Sequence, residues 1–252
     1  VIVTAYPVPH KQKSADICLA FARGCNGQIA YKLRSEGGSF FYGVTAGNLE
    51  AWQGSQDGRT IFYSDGSLFD SAREAYFRVA KNMLQPIAEG ASDGTRFAAL
   101  GIEIKPWRSS GSHIVVCPQS AHFMKTLAGV EFDWTEQTLQ RLKTVTDREI
   151  RVRPWSANKS KSSATLAADL VGAHALVTWS SAAAVTALLA GIPVVVESDD
   201  CSARPMSGTL EQIENLPTPD GRHEWANQLA DQQWSLDEFR SGFAWSALSS
   251  DE

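Results

Sequence analysis

The stretch ALVTWSSAAAVTALLAGIPVVVE, residues 175–197, constrains this chain more than any other. A β-rich run over 175–179 ends in two hydroxyl residues, Ser180 and Ser181. A helix of small residues is expected over 182–190, Gly191 ends it with a left-handed residue, and Pro193 opens an apolar strand over 194–196. Strand, turn, helix and strand in this order form the building block of a parallel sheet. Open α/β sheets bind ligands at the carboxyl ends of their strands, where helix N–H groups favour phosphate. The serine pair is thus placed to meet a nucleotide, although either serine alone also reads as an ordinary helix cap.

The same alternation runs along the chain. Strands are expected over 1–6, 28–33, 40–44, 60–64, 113–118, 149–153, 175–179 and 194–197. Helices are expected over 14–22, with Ser14 as a cap, over 71–85, 135–143, 165–170 and 182–190, and in a C-terminal pair over 222–230 and 236–248. A Gly/Ser/Pro-rich segment, 90–111, divides the strands four and four. The expected architecture is α/β: an acceptor-side half over 1–103, a donor-binding half over 104–221 and a C-terminal helical region over 222–252. One doubly wound sheet is the alternative. Trp225, Trp234 and Trp245 are expected to pack the C-terminal helices.

The longest apolar runs are too short to span a bilayer, and the opening VIVTAYPVPHK reads as a first strand, not a signal peptide. Cys18, Cys25, Cys117 and Cys201 lack C-x-x-C spacing, so zinc and disulfides are not expected and a reducing cytoplasm fits. The net charge of −5 is unevenly spread: residues 104–161 carry ten Lys/Arg against five acids, whereas 197–252 carry twelve acids against three basic residues. That asymmetry points to a local anion site instead of a general nucleic-acid coat.

Four loops at strand ends in the second half carry the chemistry. Pro118-Gln119-Ser120 can offer backbone N–H groups to a diphosphate. Arg151 and Arg153, two apart on a strand, share a face from which a guanidinium can clamp phosphate, with Trp155, Asn158, Lys159 and Lys161 beyond them. An ordinary salt bridge is the competing role for either arginine. Ser180 and Ser181 form the third loop. The fourth holds Asp199 and Asp200, which are adjacent acids without a spaced partner and a weak Mg²⁺ signal. In the first half, Asp65 and His10 lie where a general base is needed, although Asp65 before Gly66 is also a common turn residue. No P-loop, dinucleotide fingerprint or nucleophile elbow occurs.

The run Thr186-Ala187-Leu188-Leu189-Ala190-Gly191-Ile192-Pro193-Val194 resembles the E-A-L-x-x-G-x-P-V signature in the donor-binding domain of GT-B glycosyltransferases. The resemblance covers about residues 105–200. It departs at Thr186, which stands where that family usually has a glutamate holding the donor ribose. The resemblance implies two small Rossmann-like halves facing a cleft, a nucleotide-sugar co-substrate (a UDP-sugar first) and no resident metal. Segments such as FYSDGSLFD, PWRSSGSHIVVCPQS and QWSLDEFRSGFAW are similar to small glycosyltransferase-like proteins of tailed phages. That similarity implies sugar transfer in an infected bacterium onto a 5-hydroxymethylpyrimidine of double-stranded DNA. A glycan acceptor, or a non-catalytic nucleotide- or nucleic-acid-binding module of the same fold, is the alternative. The donor contacts implied are Pro118, Gln119, Ser120, Arg151, Arg153, Ser180, Ser181 and Thr186, with Asp65 or His10 as base.

Overall fold

Parallel strands covered on both faces must be apolar almost throughout, and the runs FFY, IVVC, ALVT and VVV meet that demand. A computed structural model describes residues 2–72, 74–155 and 165–250. Asn158, Lys159 and Lys161 lie outside the described residues. The chain forms two units, Val1–Pro86 with Leu229–Glu252, and Ile87–Gln228. The region 222–252 is therefore divided between them.

The first unit begins with β1 (Val3–Ala5), α1 (Gln12–Gly24), β2 (Gln28–Ile29), β3 (Gly38–Tyr42), α2 (Leu49–Ser55), β4 (Ile61–Gly66) and β5 (Phe77–Lys81). Its strands lie in the order β2-β1-β3-β4-β5, with the first four parallel and β5 antiparallel to β4. On one face α1 inserts Phe21, whose ring stacks on Phe40 at 3.9 Å. On the other, Tyr6, Phe41, Trp52 and Tyr63 form an aromatic ladder.

Sequence periodicity predicts a helix over 71–85, and the structure corrects it. A short 3-10 turn over Asp70–Ala72 leads into β5. Phe77 and Val79 alternate into the core while Arg78 faces Asp65 across the ladder. The apolar spacing in this segment suits both periods, and pairing with β4 decides between them.

The second unit holds α3 (Thr95–Ala99), β6 (His113–Cys117), a π-helical turn (Phe123–Leu127), α4 (Trp134–Val145), β7 (Glu149–Val152), α5 (Leu166–Asp169), β8 (Ala173–Thr178), α6 (Ala183–Leu189), β9 (Val194–Val196), β10 (Ser207–Gly208) and most of α7 (Arg222–Asp231). The sheet is parallel throughout, in the order β10-β9-β8-β6-β7. Ile114, Val116, Ala175, Val177 and Val195 meet Trp134 and Leu142 of α4 in its core. Gly191 has φ +76°, and a Cβ there would lie 2.0 Å from the Pro106 carbonyl oxygen. Glycine is required twice over: by the left-handed backbone after α6 and by the strap over 105–108 that bonds to Leu189 and Gly191.

Chain then returns to the first unit as β11 (Gln233–Trp234), antiparallel to β5, followed by α8 (Leu236–Ser241) and α9 (Phe243–Ser249). The single helix expected over 236–248 is broken at Gly242, which has φ +82°. Trp234 is buried in the first unit's core and Trp245 packs against it. In the second unit, the indole N–H of buried Trp225 donates to the Ser202 carbonyl at 2.9 Å. No described helix is long and apolar enough to cross a membrane.

The strand order β2-β1-β3-β4 recurs as β7-β6-β8-β9. The molecule thus contains two Rossmann-like halves. In each, the order reverses once, between β1 and β3 and between β6 and β8, and such reversals open a crevice at the strands' carboxyl ends.

Candidate functional site

At the second unit's reversal, Thr178 ends β8 fully buried. Its hydroxyl donates to the Cys117 carbonyl at 2.6 Å and accepts from the Ser181 N–H at 3.3 Å. One step further out, the Gln119 amide donates to Ser180 Oγ at 2.8 Å and accepts from the Ser180 N–H at 3.1 Å. These reciprocal bonds stitch the loop after β6 to the loop after β8. Ser181 Oγ accepts from the Ala183 N–H and starts α6, while Ser120 Oγ accepts from the Phe123 N–H and starts the π-helical turn. Among the described residues, the backbone N–H groups of Ser120 and Ala182 make no hydrogen bond. They are the donors that this rim offers to an oxyanion. Pro118 precedes Ser120 in the loop after β6, and Thr186 stands half-buried in the middle of α6.

Arg151 lies on edge strand β7 and Arg153 just beyond its end, and each meets a carboxylate. Arg151 binds Glu149 at 2.7 Å and holds that carboxyl below its ordinary range. It also lies 3.3 Å from His113 Nε2. Arg153 pairs with Asp169, and its backbone N–H continues the ladder to the Val116 carbonyl. Burial pushes the neighbouring Cys117 thiol up to about 12.

The charge asymmetry of the sequence is met partly within the second unit. Arg141 binds Glu197 and Glu211, and Arg148 binds Glu214, so the basic middle stretch pairs with the start of the acidic one. Glu197, beyond β9, also accepts from the Trp134 indole N–H. Asp199 pairs with Arg204, and the Asp200 carboxyl is raised by burial and by the charge of Asp199. Among the described residues no group of three or more His, Cys, Asp or Glu side chains is arranged to hold a metal.

The first unit's reversal is stitched by a different amide. Buried Asn48 donates to the Tyr6 carbonyl at 3.1 Å and to the Gly43 carbonyl at 3.2 Å, and accepts from the Thr45 N–H at 2.9 Å. It ties the loop after β1 to the loop after β3. Ser14 lies inside α1 instead of capping it, and its hydroxyl accepts from the Val8 N–H. His10 is exposed on the β1 loop with φ +61°, a left-handed backbone that non-glycine residues seldom adopt. Asp65 lies at the end of β4, two strand spacings or about 10 Å across the sheet from β1. Its Oδ1 accepts from the Gly66 N–H at 2.7 Å and its Oδ2 from Arg78 at 3.1 Å. The Asp65 side chain remains 52% exposed, whereas that of Arg78 is 9% exposed and also binds the Gly66 carbonyl. His10 and Asp65 share the carboxyl rim of the sheet without a hydrogen bond between them among the described residues.

Sequence reasoning missed Asn48, Arg78 and Glu197. An amide immediately ahead of α2 was the one visible signal for Asn48. Arg78 emerges only from the cross-strand register, and Glu197 only from the packing of α4.

Two Rossmann-like halves with this strand order place the chain in a recognisable α/β class. No family model matches the sequence, and no curated protein matches it. Among solved structures the chain is similar to a KpsC of Thermosulfurimonas dismutans described as a beta Kdo 2,7 transferase. That match has 12% identity and a TM-score of 0.56, over 98% of this chain and 99% of that one. A second, described as the KpsC beta Kdo 2,4 transferase of the same organism, has 11% identity and a TM-score of 0.50, over 90% and 89%. At these identities the likeness shows the fold.

Proposed function

We propose that the chain is a glycosyltransferase that takes a nucleotide-activated sugar at the carboxyl rim of the second unit. The observation that carries this reading is the pairing of Gln119 with Ser180, which fixes two rim loops and leaves the Ser120 and Ala182 N–H groups to meet phosphate oxygens. The whole-length likeness to two proteins named as transferases of a sugar supports it.

In the proposed step, the acceptor hydroxyl oxygen bonds to the anomeric carbon as the bond from that carbon to the phosphate oxygen breaks. The bonding electrons leave with the nucleotide, and the hydroxyl proton passes to a base. Asp65 is the proposed base, oriented by Arg78 and the Gly66 N–H and half open to solvent. His10 is assigned the adjoining acceptor contact. Arg153 is already engaged by Asp169, so the backbone N–H groups are given the larger share of the developing charge.

We assign the acceptor to the glycans. Four of the ten cations of the basic stretch, Arg141, Arg148, Arg151 and Arg153, are already paired with carboxylates, which lowers the charge this stretch offers to DNA phosphates. A DNA acceptor needs such cations free for its phosphates. The test is incubation with a panel of UDP-, GDP- and CMP-sugars, with mass detection of sugar added to glycan oligosaccharides and to hydroxymethylated DNA. Transfer to a glycan is expected. Transfer to DNA alone would refute the acceptor assignment, and neither transfer nor donor hydrolysis under any condition would refute the activity.

A further inference from the structure

Among the described residues, most ion pairs engage arginine. Arg78, Arg141, Arg148, Arg151, Arg153, Arg204 and Arg240 each meet a carboxylate. Lys32 and Arg34 differ. Both are exposed, and among the described residues neither head group makes an ion pair or a side-chain hydrogen bond. Glu36, two residues beyond, pairs with neither. These two cations line a hollow of about 330 Å³ together with Ala30, Tyr31 and Leu33, just past the end of β2 in the first unit.

The backbone that carries them is held at several points. The Ala30 N–H bonds to the Ala5 carbonyl at 3.1 Å, extending the ladder of β2. The Arg34 N–H donates to the hydroxyl of buried Tyr6 at 3.1 Å. The Arg59 guanidinium donates to the carbonyls of Arg34 and Ser35, adding a third positive charge below the loop. Leu33 lies so close to α2 that a Cβ on Gly54 would sit 2.3 Å from its Cδ2. The main chain is stapled while the charged ends are uncommitted. Tyr31, at the mouth, is 61% exposed.

We infer that this hollow binds an anionic saccharide, with Lys32 and Arg34 on its acidic group and Tyr31 against a sugar ring. The hollow is shallow and open, formed by five consecutive residues, so a ligand there stays largely solvated and its charge carries most of the recognition. A guanidinium and an ammonium two residues apart match a carboxylate or a phosphate. An exposed phenol supplies an apolar face for ring C–H groups and a polar edge for hydroxyls. As a subsite for the acceptor the hollow rests on the transferase reading, whereas as a binding site it stands independently of that reading.

The test is calorimetric titration of the full chain with trigalacturonate, galactose 1-phosphate, neutral maltotriose and a short DNA duplex, repeated on Lys32→Ala/Arg34→Ala and on Tyr31→Ala. Trigalacturonate or galactose 1-phosphate is expected to bind at least about tenfold more tightly than maltotriose. Whichever of the two binds more tightly identifies carboxylate or phosphate as the acidic group. The double variant is expected to lose about tenfold or more in affinity, and Tyr31→Ala about threefold or more, with unfolding midpoints unchanged. Equal affinity for maltotriose, unaltered affinity in the double variant, or tighter binding of DNA with no effect of Tyr31→Ala each overturns the proposal. Nucleotide-sugar affinity is measured in the same samples. Saccharide binding without any donor binding leaves the site standing and removes the transferase reading, and the reverse result removes the site alone.

Discussion

The two units share one strand order and solve one problem differently. Each must hold together two loops at the reversal of its sheet, where backbone groups leave the ladder and need partners. The first unit uses buried Asn48, whose amide bonds three backbone groups and leaves no side chain of the opposite loop involved. The second uses Gln119 against Ser180, a side chain and a backbone N–H from the facing loop. The first arrangement fixes the backbone at Tyr6, Gly43 and Thr45, while the second defines a rim of hydroxyls and N–H groups. The difference teaches that a repeated topology fixes where a site can form, and the residues that close the loops decide what kind of chemistry it offers.

The largest expected effect separates the two rims by role. Asp65→Asn should lower the transfer rate by about 100-fold or more while donor affinity stays within about twofold, because it removes the proton acceptor; it also leaves nearly buried Arg78 without its carboxylate, so an unfolding curve accompanies the rate. His10→Ala should cost about tenfold. A rate that survives Asp65→Asn and collapses with His10→Ala would exchange the two assignments.

Next comes stability, compared at two glycines in urea unfolding. Gly191→Ala should cost about 3 kcal/mol, combining left-handed strain with a clash against the Pro106 carbonyl. Gly43→Ala, at φ +67° with open space around it, should cost only about 1 kcal/mol. Equal costs would show that the strap over 105–108 yields readily.

The stitching amides give a smaller contrast. Gln119→Ala should weaken nucleotide-sugar binding by about tenfold, whereas Asn48→Ala should leave that binding within about twofold and instead destabilise the protein by about 1–3 kcal/mol. Parallel donor titrations and unfolding curves measure both.

The smallest effect is on pH dependence. Bonds from Thr146 and Arg148 hold the Glu214 carboxyl below its ordinary value. A depressed carboxyl contributes stability that is present above its unfolded value, near 4.5, and is lost as pH falls through the folded value. Glu214→Gln should therefore lower stability slightly at neutral pH and leave it near the parent's value in acid, so that the acid limb becomes shallower. A steeper acid limb in the variant would contradict the sign.

Six of the expected strands were legible because their apolar runs are buried and end in turn residues, whereas the exposed edge strands β2 and β7 were marked only by extended residues between turn signals. The strands β10 and β11 have two residues each, too few for any period, and β5 hid within a spacing that a helix also satisfies. Gln119, Ser180 and Ser181 were legible as residues at strand ends. Their mutual bonds were not, because sixty-one positions separate Gln119 from Ser180. The pairing of Arg141 with Glu197 and of Arg148 with Glu214 was hidden for the same reason, so a local excess of charge read as an anion site.

The central claim is that the bonded loops of the second unit hold the sugar donor, and donor affinity of a Gln119→Ala/Ser180→Ala double variant tests it most directly. Calorimetry with the nucleotide sugar that the unaltered chain binds should show affinity reduced by about tenfold or more in a variant that remains folded at the assay temperature. Unchanged affinity in a folded double variant would place the donor elsewhere.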